Sequence, residues 1–182
     1  MQKTNLFLFP TLVKVIDDFL NDEELKELKD KCEKVNKEYT RHFDGDGKTS
    51  HDILENLVTS EKINNELNDY IKEYGGVFYS DDYQSWSNVQ NKGSSLNAHT
   101  HPNSTVSFVL YINVDGGVLT FRNPNPYVHY TTNKDPENSS EFLFSTYSFD
   151  CINKRMIIFP SWLEHWAYSN CDNRIVISGN KN

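Results

Sequence analysis

Apolar residues recur at helical spacing in two segments of the N-terminal third of the chain. In the first segment they stand three or four positions apart: Leu25, Leu28, Cys32 and Val35. Asn21 precedes them as a candidate N-cap residue, with Glu24 three positions later. The second segment starts near Ser60, ends at Gly75-Gly76 and carries a similar stripe: Ile63, Leu67, Tyr70, Ile71 and Tyr74. We predict two amphipathic helices whose apolar stripes pack on a sheet.

From Tyr83 onward the pattern changes to short apolar or alternating runs, which are typical of β-strands. The predicted strands are Gln84–Val89, Leu96–His101, Thr105–Ile112, Val118–Phe121, Phe142–Tyr147, Arg155–Phe159 and Arg174–Ser178. Turn signals such as Asp115-Gly116-Gly117 separate them, and Leu6 to Ile16 is also expected to be extended. Many short strands at this spacing predict a jelly roll or a barrel.

The length of the chain and this change of pattern predict one domain over residues 1–182. Residues 1–82 are expected to form a helical support region, and residues 83–182 the jelly-roll core. The predicted fold class is therefore mostly β, with helices that support the core from the N-terminal side.

Charge and composition exclude some classes of function. The net charge of −8 argues against nonspecific binding to nucleic acid or to an anionic membrane surface. The N-terminal apolar run is too short for a signal peptide, and no stretch has the length of a transmembrane helix. The cysteines Cys32, Cys151 and Cys171 are a sparse and odd set, which suits reduced thiols better than disulfides. We expect a cytoplasmic protein.

Histidines carry the most informative chemistry in the chain. His99 and His101 are two residues apart on a predicted strand, so their side chains point to the same face. His165 comes from a distant segment and can complete a metal site, because neutral imidazole is a common metal ligand. Such a site keeps open positions for a substrate. The histidines therefore predict a small metalloenzyme.

Arg174 stands nine residues after His165, on the last predicted strand. Alternation places Arg174, Val176 and Ser178 on one face, which is otherwise apolar. A buried guanidinium needs an anionic partner, and no acidic residue stands at the obvious positions. A carboxylate of a bound ligand is one candidate for this partner. A salt bridge with a distant Asp or Glu is the other.

Several motifs between Tyr83 and Asn180 match a known family. They are Trp86-Ser-Asn88, Gly93, His99-Thr-His101-Pro102-Asn-Ser104, Tyr111-Ile-Asn113, Gly116-Gly117-Val-Leu119 and Phe159-Pro160-Ser161-Trp-Leu-Glu-His165. Together they resemble the 2-oxoglutarate- and iron(II)-dependent dioxygenases, in particular the prolyl-hydroxylase type and a group of short oxygenases from phages and marine bacteria. The resemblance implies a double-stranded β-helix, which is a jelly roll, supported by two or more helices.

The resemblance also implies roles for the candidate residues. His99 and His165 would bind iron(II), and Arg174 would pair with the distal carboxylate of the cosubstrate 2-oxoglutarate. Tyr111 and Ser178 would donate hydrogen bonds to that carboxylate. The implied reaction consumes O2 and 2-oxoglutarate, hydroxylates a substrate that the sequence does not identify, and releases succinate and carbon dioxide. A phage-encoded protein of this kind would work in the host cytoplasm. The oligomeric state stays open.

His101 departs from the commoner pattern of this family. The usual iron ligands are two histidines and one carboxylate, and His101 stands at the position of the carboxylate. Three neutral imidazoles would leave the site one negative charge short, which weakens iron retention relative to zinc, nickel or copper. We expect His101 to be the third ligand. The alternative is that His101 lies outside the coordination shell and that water takes its place.

Two segments are candidates for the walls of a substrate pocket. Asn123–Glu141 follows the strand Val118–Phe121 and is long for a loop inside a compact domain, so we interpret it as a substrate lid. Trp162, Trp166 and Tyr168 flank His165 and could line the pocket. Packing in the core is the simpler explanation of these aromatic residues.

Two other functions fit part of the pattern. Gly93 with His99-Thr-His101, and Pro160 with His165, resemble the signature of a cupin, that is, a metal-dependent dioxygenase or isomerase with an all-histidine site. However, the glutamate that a cupin carries after His101 is absent, and a cupin gives Arg174 no role. A non-catalytic jelly-roll binding module is the second alternative, because a fold alone does not determine function.

Overall fold

The computed structural model describes residues 11–35, 38–39, 43–44, 47–75, 83–125 and 144–182. Most of the predicted lid Asn123–Glu141 and the start of the extended segment at Leu6 lie outside these residues. Within the described ranges, no helix is long and apolar enough to cross a membrane.

The described residues form helices α1 (Asp22–Val35) and α2 (Val58–Tyr74) and a larger set of short strands. The strands are β1 (Lys14–Ile16), β2 (Glu38–Tyr39), β3 (Phe43–Asp44), β4 (Gly47–His51), β5 (Tyr83–Gln90), β6 (Ser95–His99), β7 (Val106–Asn113), β8 (Val118–Arg122), β9 (Thr146–Asp150), β10 (Met156–Pro160), β11 (His165–Tyr168) and β12 (Arg174–Lys181).

The strands form two antiparallel sheets. The major sheet has seven strands in the order β1-β10-β7-β12-β5-β4-β2, and the minor sheet has five in the order β3-β6-β11-β8-β9. Neighbouring strands are often distant in sequence, as where β12 lies between β5 and β7. Two sheets of this kind with supporting helices are the predicted mostly-β jelly roll, so the fold-class prediction is confirmed.

Local signals fix both helices where the sequence predicted them. The Asn21 side chain accepts a hydrogen bond from the Glu24 backbone N–H, and Glu24 accepts one from the Asn21 N–H, both at 2.8 Å. This reciprocal pair is the capping box expected before α1. Gly75 ends α2 in a left-handed conformation with φ of 77°. A residue without Cβ adopts that conformation without strain.

The major sheet separates two apolar clusters because residues of a strand alternate between its faces. One cluster lies under the helices and takes the β7 and β12 residues Phe108, Leu110, Ile112, Ile175 and Ile177. The other lies between the two sheets and takes Val109, Tyr111 and Val176 from the major sheet and Leu119, Phe121 and Ala167 from the minor sheet. This second cluster is the interior of the jelly roll, and the candidate site lies in it.

The structure differs from the sequence prediction mainly at short strands. The first two residues of the predicted strand Phe142–Tyr147 lie outside the described residues, and the strand observed there is Thr146–Asp150. Strand β11 was not predicted at all. Within residues 1–82, β1 and β4 add to the major sheet beside the two helices. Strand β4 was not predicted because its residues, Gly-Lys-Thr-Ser-His, include no apolar side chain that could form an alternating pattern.

Candidate metal and cosubstrate site

Two neighbouring strands of the minor sheet bring the three histidines together. His99 ends β6 and lies directly opposite His165, the first residue of β11. His101 follows β6 by two residues, and its backbone N–H donates to the Ser161 carbonyl at 2.9 Å. This backbone bond ties the segment after β6 to the segment that precedes His165.

The three imidazoles converge on one point. His99, His101 and His165 each offer one nitrogen, and these nitrogens all lie within 4.8 Å of one another. The ring centroids of His99 and His165 are 4.3 Å apart, and His101 lies 4.9 and 5.2 Å from them. This separation suits three ligands of one metal ion, so the structure brings together the histidines that the sequence selected.

Backbone carbonyls fix the orientation of two of these rings. The Nδ1 of His99 lies 2.7 Å from the Asn97 carbonyl oxygen, and the Nδ1 of His165 lies 2.9 Å from that of Leu163. A carbonyl only accepts, so Nδ1 carries the hydrogen and Nε2 keeps its lone pair. Hydrogen bonds of this type orient metal-binding histidines in proteins.

Burial keeps the imidazoles neutral. Desolvation, together with the nearby His99, lowers the pKa of His101 from 6.5 to about 4. The same two causes lower the pKa of His165 to about 3, although its hydrogen bond to Leu163 opposes them. Neutral imidazole is the form that binds a metal, so these two side chains would need no deprotonation to bind one at neutral pH.

Aromatic side chains surround the histidines. The Phe159 and Phe121 rings lie 4.7 and 6.0 Å from the His165 ring, and the Trp86 ring lies 5.8 Å from that of His101. Tyr147 on β9 is paired with Phe121 and is 44% exposed, so it borders the open side of the same face. The site therefore has one dry wall and one accessible side.

Arg174 lies at the other end of the same interior. Its side chain is 2% exposed, and its Nη1 donates to the Gln90 side-chain oxygen at 2.5 Å. Its Nη2 lies 3.8 Å from the Cys151 sulfur, and its Nε has no hydrogen-bond partner among the described residues. No ion pair to Arg174 occurs in the described part of the chain. As predicted, Arg174 is therefore buried, and no carboxylate of the described residues pairs with its guanidinium.

Tyr111 adds a second unsatisfied group beside Arg174. The guanidinium carbon lies 5.9 Å from the centre of the Tyr111 ring, and the Tyr111 hydroxyl is buried without a well-oriented hydrogen-bond partner among the described residues. Burial, reinforced by the Cys151 thiol, raises the pKa of Tyr111 well above its usual range. The hydroxyl is therefore a neutral donor, directed into the interior like the guanidinium.

Ser178 shares the face of Arg174 and Val176, as the alternation predicted, but it lies elsewhere along the strand. It is opposite Val109 on β7 and Trp86 on β5. Four residues of strand separate its Cα from that of Arg174 by about 13 Å. Ser178 is thus nearer the histidine end of the interior, since Trp86 contacts His101.

The sequence did not indicate some residues of the site, and it indicated others that lie outside the site. Gln90 and Cys151, which contact Arg174, were not singled out. Strand phase places Gln90 on the same face as Trp86, but it does not by itself show that Gln90 contacts Arg174. Trp166 and Tyr168 lie on the opposite face of β11 from His165, and neither lines the interior. Trp166 instead stacks under Arg122.

A separate cavity lies on the helix side of the major sheet. Its volume is about 670 Å³, and its lining includes Asp52, Glu55, Glu61 and Tyr83. None of the three converging histidines borders it. The three histidines and this cavity therefore lie on opposite sides of the major sheet.

Comparison with known proteins assigns the chain to a family. The model of the family described as "Putative 2OG-Fe(II) oxygenase", where 2OG is 2-oxoglutarate, matches residues 84–180, more than half of the chain. The chain belongs to this family. No curated protein matches the sequence. The protein is thus a 2OG-Fe(II) oxygenase, and the recognition made from its motifs is confirmed.

Solved structures of 2OG-Fe(II) oxygenases have the same fold. A Pseudomonas putida prolyl-4-hydroxylase is 12% identical, with a TM-score of 0.64, over 94% of this chain and 92% of the other. A Burkholderia pseudomallei oxidoreductase of the 2OG-Fe(II) oxygenase family is 15% identical, with a TM-score of 0.63, over 92% and 84%. HygX from Streptomyces hygroscopicus, solved with nickel and 2-oxoglutarate, is 9% identical, with a TM-score of 0.61, over 94% and 83%.

The described residues of this 2OG-Fe(II) oxygenase fit both of the groups that the family uses. Iron(II) binds where several imidazole or carboxylate donors converge, and the three histidines provide three converging imidazoles. A dicarboxylate requires a buried cation and hydrogen-bond donors that have no protein partner. Arg174 Nε and the Tyr111 hydroxyl are such groups.

Proposed function

We propose that the protein hydroxylates a substrate at an iron(II) ion held by His99, His101 and His165. The observation that carries this proposal is the convergence of the three imidazoles, at one end of an interior whose other end holds Arg174, which has no acidic partner among the described residues. When bound, iron(II) and 2-oxoglutarate supply the activation of O2, with succinate and carbon dioxide as products.

The proposed role of His101 is ligation, as the sequence favoured. Its ring is close enough to the rings of His99 and His165 for all three to bind the same metal ion. Because all three imidazoles are neutral, they would leave the double charge of a bound iron(II) ion uncompensated, which would favour an anionic cosubstrate more than a site with a carboxylate ligand would.

Arg174 and Tyr111 are the proposed anchor of the distal carboxylate of 2-oxoglutarate. Arg174 supplies the charge and Tyr111 a neutral O–H donor, and both are buried in a medium where such bonds are strong. We propose that Ser178 donates a third hydrogen bond to the cosubstrate. Ser178 lies opposite Trp86, so this hydrogen bond would lie nearer the metal than the bond between Arg174 and the distal carboxylate.

The apolar residues between the two ends would hold the carbon chain of the cosubstrate and exclude water. Val176 and Val109 belong to the apolar cluster between the two sheets, and Phe159 packs against His165. A dry interior keeps the cosubstrate in one orientation and protects the reaction from water. The accessible side near Tyr147 is then the approach for the substrate.

The buried cation distinguishes this proposal from its alternatives. A cupin-type oxygenase or isomerase needs the histidines but gives Arg174 and Tyr111 no ligand. A non-catalytic binding module would bind ligands without turnover. The cytoplasm is the proposed location, because the cosubstrate is a central metabolite and the few cysteines suit a reducing compartment.

Formation of succinate from 2-oxoglutarate in the presence of iron(II), O2 and a panel of peptides, nucleotides and small metabolites tests the proposal. We expect succinate with the wild-type protein and none with His165→Ala or Arg174→Ala. Ser178→Ala should retain activity with a raised KM for 2-oxoglutarate. Equal succinate from wild type and His165→Ala would contradict the proposed site.

A further inference from the structure

The partner of the buried arginine is a neutral amide. Arg174 and Gln90 lie directly opposite each other on the neighbouring strands β12 and β5. Both side chains are 2% exposed, and the Gln90 oxygen accepts from the Arg174 Nη1 at 2.5 Å. Gln90 is thus the strongest contact that Arg174 makes among the described residues.

Gln90 is itself held in place. Its side-chain nitrogen donates to the Ser94 hydroxyl at 3.3 Å, and Ser94 is 1% exposed. The Ser94 backbone carbonyl in turn accepts from the Ser169 N–H at 2.9 Å, which ties this turn to the end of β11. The amide therefore presents its oxygen, and not its nitrogen, to the guanidinium.

A neutral partner has a different electrostatic effect from a carboxylate. An amide oxygen satisfies one N–H of the guanidinium and orients it, but it leaves the positive charge uncompensated. An aspartate or glutamate at the same position would form a buried ion pair, which satisfies the cation and repels any further anion. Burying an uncompensated charge is unfavourable, so the arrangement is expected where a ligand supplies the missing anion.

We propose that Gln90 is the positioning residue that reserves Arg174 for the distal carboxylate of the cosubstrate. Gln90 fixes the direction of the guanidinium, and its neutrality keeps the charge of Arg174 available. This inference rests on the proposed function. It adds that the selectivity for a dicarboxylic oxoacid depends on an uncharged residue that does not touch the metal.

Gln90→Glu is the decisive variant, because stability and binding should change in opposite directions. The new carboxylate gives the buried guanidinium a partner, so the Tm without ligand should stay at or above that of the wild type. The same carboxylate opposes the cosubstrate, so the Kd for 2-oxoglutarate should rise by about tenfold or more. A residue with only a structural role would not weaken binding while it preserves stability.

Calorimetric titration of the Mn(II)-loaded protein with 2-oxoglutarate and with oxalate measures this effect without turnover. Oxalate can chelate the metal but has no distal carboxylate, so its Kd should be the same in wild type and Gln90→Glu within about twofold. Gln84→Glu is the matched control, because it makes the same change at an exposed position of the same strand. It should bind 2-oxoglutarate like the wild type.

Gln90→Leu provides a second variant that adds no charge. It keeps the cation but removes the bond that orients it, so the Kd for 2-oxoglutarate should rise by a few fold, about as expected for one lost hydrogen bond. Oxalate binding should not change. This variant tests the positioning role even if Gln90→Glu does not fold.

The outcomes separate this inference from the proposed function. If the Mn(II)-loaded wild type does not bind 2-oxoglutarate, the proposed function fails and the role of Gln90 fails with it. If the wild type binds and Gln90→Glu binds equally well, only the role of Gln90 is overturned. Equal weakening of 2-oxoglutarate and oxalate binding would also overturn it, because the effect would then lie at the metal end.

Discussion

At the scale of single residues, the site combines neutral metal-binding groups with one uncompensated cation. Burial keeps the imidazoles of His101 and His165 neutral, and Arg174 is buried without an acidic partner among the described residues. The buried charge of Arg174 costs free energy in the absence of a ligand, and the neutral imidazoles are in the form that binds a metal. They are explained together if the protein binds a metal ion and an anion.

Tyr111→Phe should separate ligand binding from stability. The hydroxyl has no well-oriented partner among the described residues, so its removal should leave the Tm without ligand unchanged or higher. The KM for 2-oxoglutarate should rise by about tenfold, as for a lost hydrogen bond to a charged group. Thermal unfolding and succinate formation measure the two effects. A lower Tm with an unchanged KM would show that the hydroxyl has a structural role only.

The pH dependence of stability should report the buried histidines. In the metal-free protein, His101 and His165 have pKa values lowered from 6.5 to about 4 and about 3, so the unfolded chain binds protons first as the pH falls. Their contribution to stability is therefore complete above about pH 6.5 and declines as the pH falls toward the folded values.

Urea unfolding at pH 7 and pH 5 measures this loss before most carboxylates titrate. We expect a lower unfolding midpoint at pH 5 in the metal-free protein. The loss should be smaller in His165→Gln, because one of the responsible groups is then absent. A midpoint that does not change between these pH values would contradict the assigned burial of the imidazoles.

At the scale of elements, strand phase accounts for what the sequence could predict. Alternation along β12 correctly placed Arg174, Val176 and Ser178 on one face, because a strand in a packed sheet admits a single phase. The capping box and Gly75 fixed the helices through local chemistry. Strand β11 was missed because its four residues include no β-branched or long aliphatic side chain.

Gly179→Ala should disturb the strand that carries the proposed cosubstrate anchor. A Cβ at this position would lie 2.4 Å from the Gln84 backbone oxygen and 2.4 Å from the Phe108 ring, and the backbone cannot move aside without shifting β5. We expect a loss of about 3 kcal/mol or more in the free energy of unfolding.

Gly75→Ala is the comparison for this prediction. Its Cβ would meet nothing within 4 Å, and only the positive φ opposes it, so the loss should be about 1 kcal/mol. Denaturant unfolding measures both variants. Equal losses would show that the close approach at Gly179 relaxes freely.

At the scale of the whole molecule, the site is assembled from both sheets. The histidines come from the minor sheet and the loop after β6, whereas Arg174, Tyr111 and Gln90 come from the central strands of the major sheet. Motifs identified the histidines, the tyrosine and the arginine. Gln90 could not be assigned from the sequence, because its role depends on the pairing of β5 with β12, which are far apart in the chain.

The central claim is that one interior binds a metal at the histidines and 2-oxoglutarate between that metal and Arg174. Anaerobic addition of iron(II) and then 2-oxoglutarate, followed by visible absorption, tests it most directly. We expect a charge-transfer band in the wild type that is lost in Arg174→Ala at the same 2-oxoglutarate concentration. No band with the wild-type protein, or an equal band in Arg174→Ala, would contradict the claim.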